Sequence, residues 1–336
     1  VMLKASAGGG GIGIVKVDNE EEMEKALESV RRLAKSSFGD DAVFIEKYVD
    51  DPRHVEYQVI GDKEGNIIHL NERECSVQRR NQKLIEETPS CVLTPEMRAE
   101  MGEQAVLAAK TAKYYNAGTC EFMYAQGKDG EEDKYYFLEM NTRLQVEHPI
   151  TEECTGVDLA VEMLRVASNL PLQYRQEDIR ARGHAIECRI NAEDPLHNFM
   201  PSPGKISRYA EPSGPGVRID SGVYQGFEIP TFYDSMVSKL IVWAENRDRC
   251  IERTKRALWE YQIGGIRTNI PFHHVVMNDS VFRSGNYTTS YIPRYDLMNR
   301  TVKYIEEQKA LTGGGKKVAA AMAGVQAQIS AINSGQ

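Results

Sequence analysis

Apolar and polar positions alternate with a period of two over much of the chain, and that period predicts strands. The stretch that organises the rest is Tyr135–Thr151, YYFLEMNTRLQVEHPIT. Its odd positions are Glu139, Asn141, Arg143, Gln145 and Glu147; its even positions from 138 to 146 are Leu138, Met140, Thr142, Leu144 and Val146. Side chains alternate faces along an extended strand, so one face is polar and the other mostly apolar. A half-buried strand with a solvated face is the plain reading. Carboxylates, amides and a guanidinium in succession differ from the usual Thr, Lys and Ser of such a face and mark a functional one. Pro149 ends the run, as at a strand finishing on a site rim.

Other stretches share the period. HVEYQVIGDKEGNIIHLNERECSVQ (54–78) alternates around a turn at Asp62–Gly65 and reads as a hairpin. GTCEFMYA (118–125) is a strand with Glu121 among apolar neighbours, and a buried carboxylate there needs a partner. An acidic turn over 126–134 returns the chain antiparallel, so Glu121 and Glu139 could meet on adjacent strands. AVFIEKYV (42–49) reads as a buried strand carrying Glu46 and Lys47. GHAIECRINAED (183–194) alternates again, with Glu187, Arg189 and Asn191 on one face, and DSMVSKLIVWAE is a buried strand or strand pair.

Helical spacing appears in four places. Asn19–Lys35 has a capping asparagine, acids in its first turn and bases in its last. Thr94 opens TPEM, capping-box-like with Glu96, before a helix to about Tyr115. GVDLAVEMLRVAS (156–168) directs its Met and Leu to the core, and RDRCIERTKRALWEYQ (247–262) is amphipathic. Strands and helices together predict an α+β chain.

Composition narrows the class. A length of 336 residues allows two domains or subdomains. A net charge of -8 argues against a nucleic-acid partner. The cysteines at 75, 91, 120, 154, 188 and 250 form no CxxC pair, so reduced thiols are expected rather than disulfides or zinc. No stretch is long and apolar enough to predict a membrane span. The chain opens with a strand-like VMLKASA and no signal peptide, and reads as a fragment whose N-terminus lies upstream. His273-His274 lacks a third ligand at metal spacing and reads as structural. Thr312–Lys317 reads as a linker, followed by a small-residue helix that is a tether or a docking segment.

Candidate chemistry begins at Gly8, Gly9, Gly10, Gly11 and Gly13. Glycines let a backbone approach a phosphate and aim N–H groups at it. A dinucleotide loop must open a helix, and β-branched residues follow here; a Walker A loop needs Gly-Lys-Ser/Thr, which is absent. What survives is a flap over phosphates with Lys4 as a nearby cation, against the plainer reading of a mobile glycine turn. Gln78–Lys83, QRRNQK, is either an anion-binding loop or a solvated basic one. Paired strand carboxylates near phosphate oxygens suit Mg²⁺.

KASAGGGGIG, FIEKYVDDPRHVEYQV, NERECSVQRRNQK, FLEMNTRLQVEHPITE, TGVDL and GHAIECRINAED closely resemble the biotin carboxylase component of biotin-dependent carboxylases, an ATP-grasp family. The resemblance runs from residue 1 to about 295, and SSFGDD with Asn81 is most like propionyl-CoA and other acyl-CoA carboxylase alpha chains. It implies an α+β ATP-grasp fold with a lid subdomain over 1–48, a core over 49–182, a C-terminal subdomain over 183–297 and a linker and tail over 298–336. Lys4 and Gly8–Gly13 would contact ATP phosphates. Glu46, Lys47 and the backbone near Val49 would hold the adenine, with His54 and Gln78 near the ribose and base. Lys83 would hold bicarbonate or carboxyphosphate. Glu121 and Glu139, with Asn141 beside them, would bind Mg²⁺ or Mn²⁺. Arg143, Gln145 and Val146 would bind bicarbonate, Glu147 would deprotonate it, and Arg189 would stabilise enolate-like biotin.

The implied reaction is ATP-dependent carboxylation of biotin through carboxyphosphate, the first half-reaction of an acyl-CoA carboxylase. Another ATP-grasp ligase and a non-catalytic nucleotide-binding or assembly module are the alternatives. The chain departs from the family at Ile12, where Lys or Arg is usual, and at Ile14, where Met is usual. The family's N-terminal domain is not in this sequence, and neither is an AMKM-type attachment motif. Biotin is therefore expected on a separate carrier, with a carboxyltransferase partner and a homodimer in the full-length protein. The expected location is the cytoplasm, or the mitochondrial matrix in a eukaryote.

Overall fold

The computed structural model describes residues 1–8, 13–127 and 131–311. A small antiparallel sheet comes first, in the order β2-β1-β3, with β1 at Met2–Ala5, β2 at Ile14–Lys16 and β3 at Val43–Glu46. Leu3 sits between Val15 and Ile45 in register. Helix α1 (Glu20–Phe38) covers this sheet, and Leu3, Val17, Val30 and Ala34 form its core. The Asn19 side chain caps α1 by accepting from the Glu22 amide at 3.1 Å, as its sequence predicts. The buried strand expected over 42–49 is corrected: β3 stops at Glu46, with Phe44 43% and Ile45 61% exposed. It is the edge strand of three under a single helix, which leaves too little cover to bury both its faces.

The main sheet has eight antiparallel strands. Those labelled here are β4 (Arg53–Gly61), β5 (Ile67–Arg79), β6 (Gln82–Thr88), β7 (Asn116–Ala125), β8 (Lys134–Asn141) and β9 (His184–Asn191). In space the order is Val217–Ser221, Met236–Ala244, β9, β6, β5, β4, β7, β8. One sheet thus runs across position 183, because β6 pairs with β9 from Ile85–Cys188 to Thr88–Ala185. The hairpin β4–β5 turns at Asp62–Gly65 as expected. Between β5 and β6 the expected loop is a tight turn instead: Arg80 (φ 52°) and Asn81 (φ 63°) both occupy the left-handed region. Lys83 therefore lies on a strand, opposite Gln78.

Helix α2 (Pro95–Thr111) packs on β4 and β5. The Thr94 hydroxyl accepts from the Met97 amide at 3.2 Å, and the helix ends before Tyr115. Helix α3 (His148–Thr155) lies over β5, β6 and β9. α4 (Leu159–Ala167) buries Leu159 and Val166, but Leu164 is 70% exposed, so its leucines are not all core as the sequence suggested. α5 (Arg247–Glu260) and α6 (Ile270–Asn278) enclose the largest apolar cluster, against the strand Met236–Ala244 and β9. Among the described residues no helix is long and apolar enough to cross a membrane, and the cysteines are unpaired.

The organising stretch is not one strand. β8 ends at Asn141, residues 142–147 turn, and Glu147 stands as the N-cap residue of α3. Pro149 lies inside the first turn of α3, where a missing N–H costs nothing, and so begins a helix rather than ending a strand. The polar side chains of β4 and β5 are not solvated either: Glu56, Gln58 and Arg73 are wholly buried.

Candidate active site

Strand register sets a row of charges across four strands. Arg73 on β5 lies opposite Glu56 on β4, Glu56 opposite Glu121 on β7, and Glu121 opposite Glu139 on β8. Like charges directly opposed repel, so neighbouring carboxylates demand cations. Arg73 supplies the first. Its Nε donates to Glu56 Oε1 at 2.6 Å, Nη1 to Gln58 Oε1 at 2.7 Å and Thr151 Oγ1 at 3.1 Å, and Nη2 to Thr119 Oγ1 and Gln145 Oε1 at 3.2 Å. Burial disfavours its charge most, but Glu56 and Glu147 together with lesser contributions outweigh burial and keep the guanidinium protonated.

Lys83 supplies the second. Its ammonium bonds Glu56, Glu121 Oε1 at 3.2 Å and Glu147 Oε1 at 2.5 Å. Burial opposes this charge too, and Glu56 and Glu147 raise its pKa well above that of an ordinary lysine. Glu147 is then gripped from its other side by Arg189 Nη2 at 3.0 Å. Burial pushes the Glu147 carboxyl up, while Lys83 and Arg189 outweigh it and hold the group ionised, far below the carboxylate range. Arg189 also meets Glu86 Oε1 at 2.6 Å, and its own carbonyl accepts from Asn269 at 2.9 Å with His273 Nε2 at 2.8 Å. His273 is thus structural, and burial lowers its pKa to about 4.

Gln145 bonds Glu121 Oε1 at 2.9 Å, and Asn141 Nδ2 reaches the same oxygen at 3.0 Å and Glu139 Oε1 at 3.5 Å. Glu139 is exposed, with its carboxylate open to solvent. The carboxylates of Glu121 and Glu139 offer the oxygen donors that Mg²⁺ or Mn²⁺ prefers, and Asn141 turns its amide nitrogen toward both. His54 Nε2 lies 3.1 Å from Glu121 Oε2, and its Nδ1 meets Gln78 Nε2 at 2.7 Å. Arg143 is exposed at the rim and makes one long bond, to the Leu144 carbonyl at 3.5 Å. The Val146 carbonyl is taken by Lys239 Nζ at 2.9 Å.

The residues of the small three-stranded sheet and its neighbours group separately. Lys4 pairs with Glu46 at 2.6 Å. Lys47 Nζ bonds Tyr136 Oη at 3.3 Å, which ties the lid to β8, and Val49 is half-buried nearby in sequence. Gly8 donates to the Ala5 carbonyl at 3.0 Å. Gly13 has φ 77°, and a Cβ there would lie 2.8 Å from that of Ala5, so glycine is required. Gly9, Gly10, Gly11 and Ile12 lie outside the described residues, as do the linker at 312–317 and the helix expected after it.

The fold therefore gathers Lys83, Glu121, Glu139, Asn141, Gln145, Glu147 and Arg189, with Arg143 and Val146 at the edge. Sequence reasoning passed over Glu56, Arg73, Glu86 and Lys239. The alternation in 54–78 was the available signal, since it put Glu56 and Arg73 on polar faces that a solvated hairpin would not need to arm with paired charges.

Comparison with known proteins decides the family. Residues 1–175 match the model of the carbamoyl-phosphate synthase L chain ATP-binding domain, and residues 187–294 match the biotin carboxylase C-terminal domain. A pyruvate carboxylase subunit of Methanothermobacter thermautotrophicus is 54% identical over 334 residues, 97% of this chain and 67% of that protein. The chain belongs to the biotin carboxylase family. Biotin carboxylase 1 of Bacillus subtilis is 52% identical over 298 residues, 89% of this chain and 65% of its own length. Among solved structures, the biotin carboxylase domain dimer of Hydrogenobacter thermophilus 2-oxoglutarate carboxylase, with MgADP, ADP and bicarbonate, superposes with TM-score 0.85. It is 48% identical and the match covers 88% of this chain and 64% of that one. Biotin carboxylase from Campylobacter jejuni superposes with TM-score 0.83 at 48% identity, over 87% of this chain and 64% of that one. The fold is accordingly the ATP-grasp fold of biotin carboxylases, and the chain spans about two thirds of the length of these relatives.

Proposed function

We propose that the protein containing this chain carboxylates biotin with ATP and bicarbonate. The observation that carries the reading is Glu147, held ionised between Lys83 and Arg189 one residue pair away from Glu121. Glu147 is the base that takes the bicarbonate proton. So firmly clamped a carboxylate is a weak base, and an anion arriving at Lys83 and Arg189 competes for those cations and frees it. Bicarbonate oxygen attacks the γ-phosphorus of ATP, the bond to ADP breaks, and carboxyphosphate forms. Carboxyphosphate splits into CO₂ and phosphate; phosphate accepts the N1′ proton of biotin, and N1′ bonds CO₂. Arg143 and Gln145 orient bicarbonate, and Arg189 steadies the ureido oxygen of biotin. A divalent ion on Glu121 and Glu139 would screen charge on the transferring phosphoryl group. Lys4 and the glycines from Gly8 to Gly13 contact the phosphates, and Glu46, Lys47, Val49, His54 and Gln78 hold the nucleoside. Keeping water out protects carboxyphosphate.

The acceptor of the second half-reaction is a separate matter. The relatives include subunits of pyruvate and 2-oxoglutarate carboxylases and plain biotin carboxylases, so we assign the first half-reaction and not an acyl-CoA acceptor. A biotin carrier and a second copy of the protein are the proposed partners, the latter because the Hydrogenobacter thermophilus relative is described as a dimer. Plant relatives carry chloroplastic names, and the mitochondrial matrix gains no support from these relatives. A second ligase reading draws on the carbamoyl-phosphate synthase name of the 1–175 match, but Arg189, which completes the grip on Glu147, lies in the biotin carboxylase part.

The test is ATP cleavage by the full-length protein. Cleavage that depends on bicarbonate and rises with free biotin supports the assignment; cleavage indifferent to both ends it.

A further inference from the structure

Orphaned carboxylate oxygens lie in one buried spot beside Arg189. Glu187 on β9 is wholly buried, and neither of its carboxylate oxygens has a hydrogen-bond partner. Directly opposite on β6 stands Glu86, also wholly buried, with its Oε2 unpartnered. Directly opposed residues of an antiparallel pair share a face, so the two carboxyls are neighbours. Across the other ladder Glu187 meets Ile241, which offers nothing polar.

The nearby cations are committed elsewhere. Arg189, two residues along the strand, divides its guanidinium between Glu86 and Glu147. Lys239, from the strand Met236–Ala244, holds the Val146 carbonyl at 2.9 Å and Asp220 at 3.3 Å. On α3, which packs over β9, Glu147 faces Glu187 as another negative charge. The other titratable groups of α3 are engaged: His148 Nδ1 at the Gln145 carbonyl (2.7 Å), Glu152 with Arg218 (2.8 Å) and Glu153 also with Arg218 (3.6 Å). An isolated carboxylate in a dry interior takes up a proton rather than remain charged.

We propose that Glu187 is kept as a neutral carboxylic acid, and that its neutrality leaves Arg189 to span Glu86 and Glu147. Glu187 is thus a positioning residue for Glu147. Burial first, and Glu86 next, raise the Glu187 pKa well above the ordinary value, against the pull of Lys239 and Arg189. Burial also lifts Glu86, to about 7. When pH rises and the pair loses its proton, a second carboxylate competes for Arg189. Glu147 is then held less firmly, and negative charge accumulates beside the anion pocket. The protonation rests on this chain alone; its effect on rate rests on the proposed function.

Glu187→Gln tests both and preserves shape. A group whose folded pKa is raised gives stability that is full below the unfolded value and lost as pH rises through the folded one. The amide has no proton to lose. The Tm of Glu187→Gln minus that of the parent therefore increases with pH, by on the order of a few degrees between neutral and about pH 9. In the infrared spectrum, a protonated-carboxyl band present in the parent near and above neutral pH loses the Glu187 share of its intensity in the variant. An equal Tm loss at every pH, with the band intact, overturns the proposal and makes Glu187 an ionised counter-charge. In the full-length enzyme, the ratio of variant to parent kcat for biotin carboxylation rises several-fold over the same range, with KM for ATP steady. A flat ratio overturns the positioning role. A parent that carboxylates nothing sinks the proposed function instead, and leaves the protonation to be judged by Tm and infrared.

Discussion

The two halves of the site are built on opposite plans. Beneath α3, Arg73, Glu56 and Glu147 are buried, Lys83 and Arg189 keep 11% and 17% side-chain exposure, and the five are joined in one continuous network of ion pairs. On the lid sheet, Lys4 and Glu46 make one pair at 14% and 27% side-chain exposure, on a three-stranded sheet with a half-exposed edge. The difference separates two tasks. On the proposed function, the end that activates a small anion is assembled without a ligand, since fixed dipoles and charges act without reorganisation. On the same proposal, the end that admits a large nucleotide carries a single ion pair in place of a network, and its cation rests on a neighbouring carboxylate.

The hardest blow to this contrast is removal of Arg73. Truncating one member of a buried ionic network strands its partners, at a cost of about 3–5 kcal/mol. Arg73→Ala leaves Glu56 without its 2.6 Å donor and frees Gln145 and Thr151 together. Urea denaturation followed by circular dichroism should show a midpoint far below the parent's, or no folded protein. A midpoint near the parent's would mean the buried end is not prefabricated.

Glu147→Gln comes next and spares the fold. General-base removal costs about 10²–10⁴ in rate. Carboxylation by the full-length protein should fall in that range while Mg-ATP binding, read by thermal shift, persists. Full turnover would take Glu147 out of the base role.

Much of this contrast was legible in the sequence. Period-two alternation located the strands, and the register pairing of Glu121 with Glu139 follows from the acidic turn between them. The strand bearing Lys4 was legible in the same way, because a local element needs only local residues. What escaped was non-local. Glu56 and Arg73 looked like the outer face of a hairpin, because nothing in 54–78 reveals that α3, some ninety residues on, will cover it. Alternation also misled over 142–147: the period-two pattern persists there although the backbone turns, since residues reaching into one pocket from a turn mimic a strand's polar face.

A smaller effect separates the halves by pH. Glu147 and Glu87 have folded pKa values lowered despite burial, Glu147 by Lys83 and Arg189 and Glu87 by Arg247 and His184. Their stabilisation is full above the ordinary carboxylate value of 4.5 and is lost as pH falls below it. Glu187 and Glu86, both raised chiefly by burial and Glu86 to about 7, act the other way, and the pair's contribution is lost as pH rises through their folded values. Calorimetric Tm should therefore peak between these limits and decline on both sides. An alkaline arm with no decline would mean that the Glu86–Glu187 pair does not retain its proton.

The smallest expected effect on stability tests the loose half. A partly exposed ion pair is worth about 0–1 kcal/mol, because solvent screens it and two long side chains must be held still. Lys4→Met therefore should leave the urea midpoint within error of the parent's. Its cost should appear in KM for ATP, raised roughly tenfold, the equivalent of about 1.4 kcal/mol for one lost phosphate contact. Glu46→Gln sharpens the point. If Glu46 merely parks Lys4 until nucleotide arrives, freeing the lysine leaves its phosphate contact intact, and any change in KM must come from the adenine side. A Lys4→Met variant that unfolds early, or one that binds ATP as the parent does, would show that the lid is as prefabricated as the rest and that the contrast between the halves is one of exposure alone.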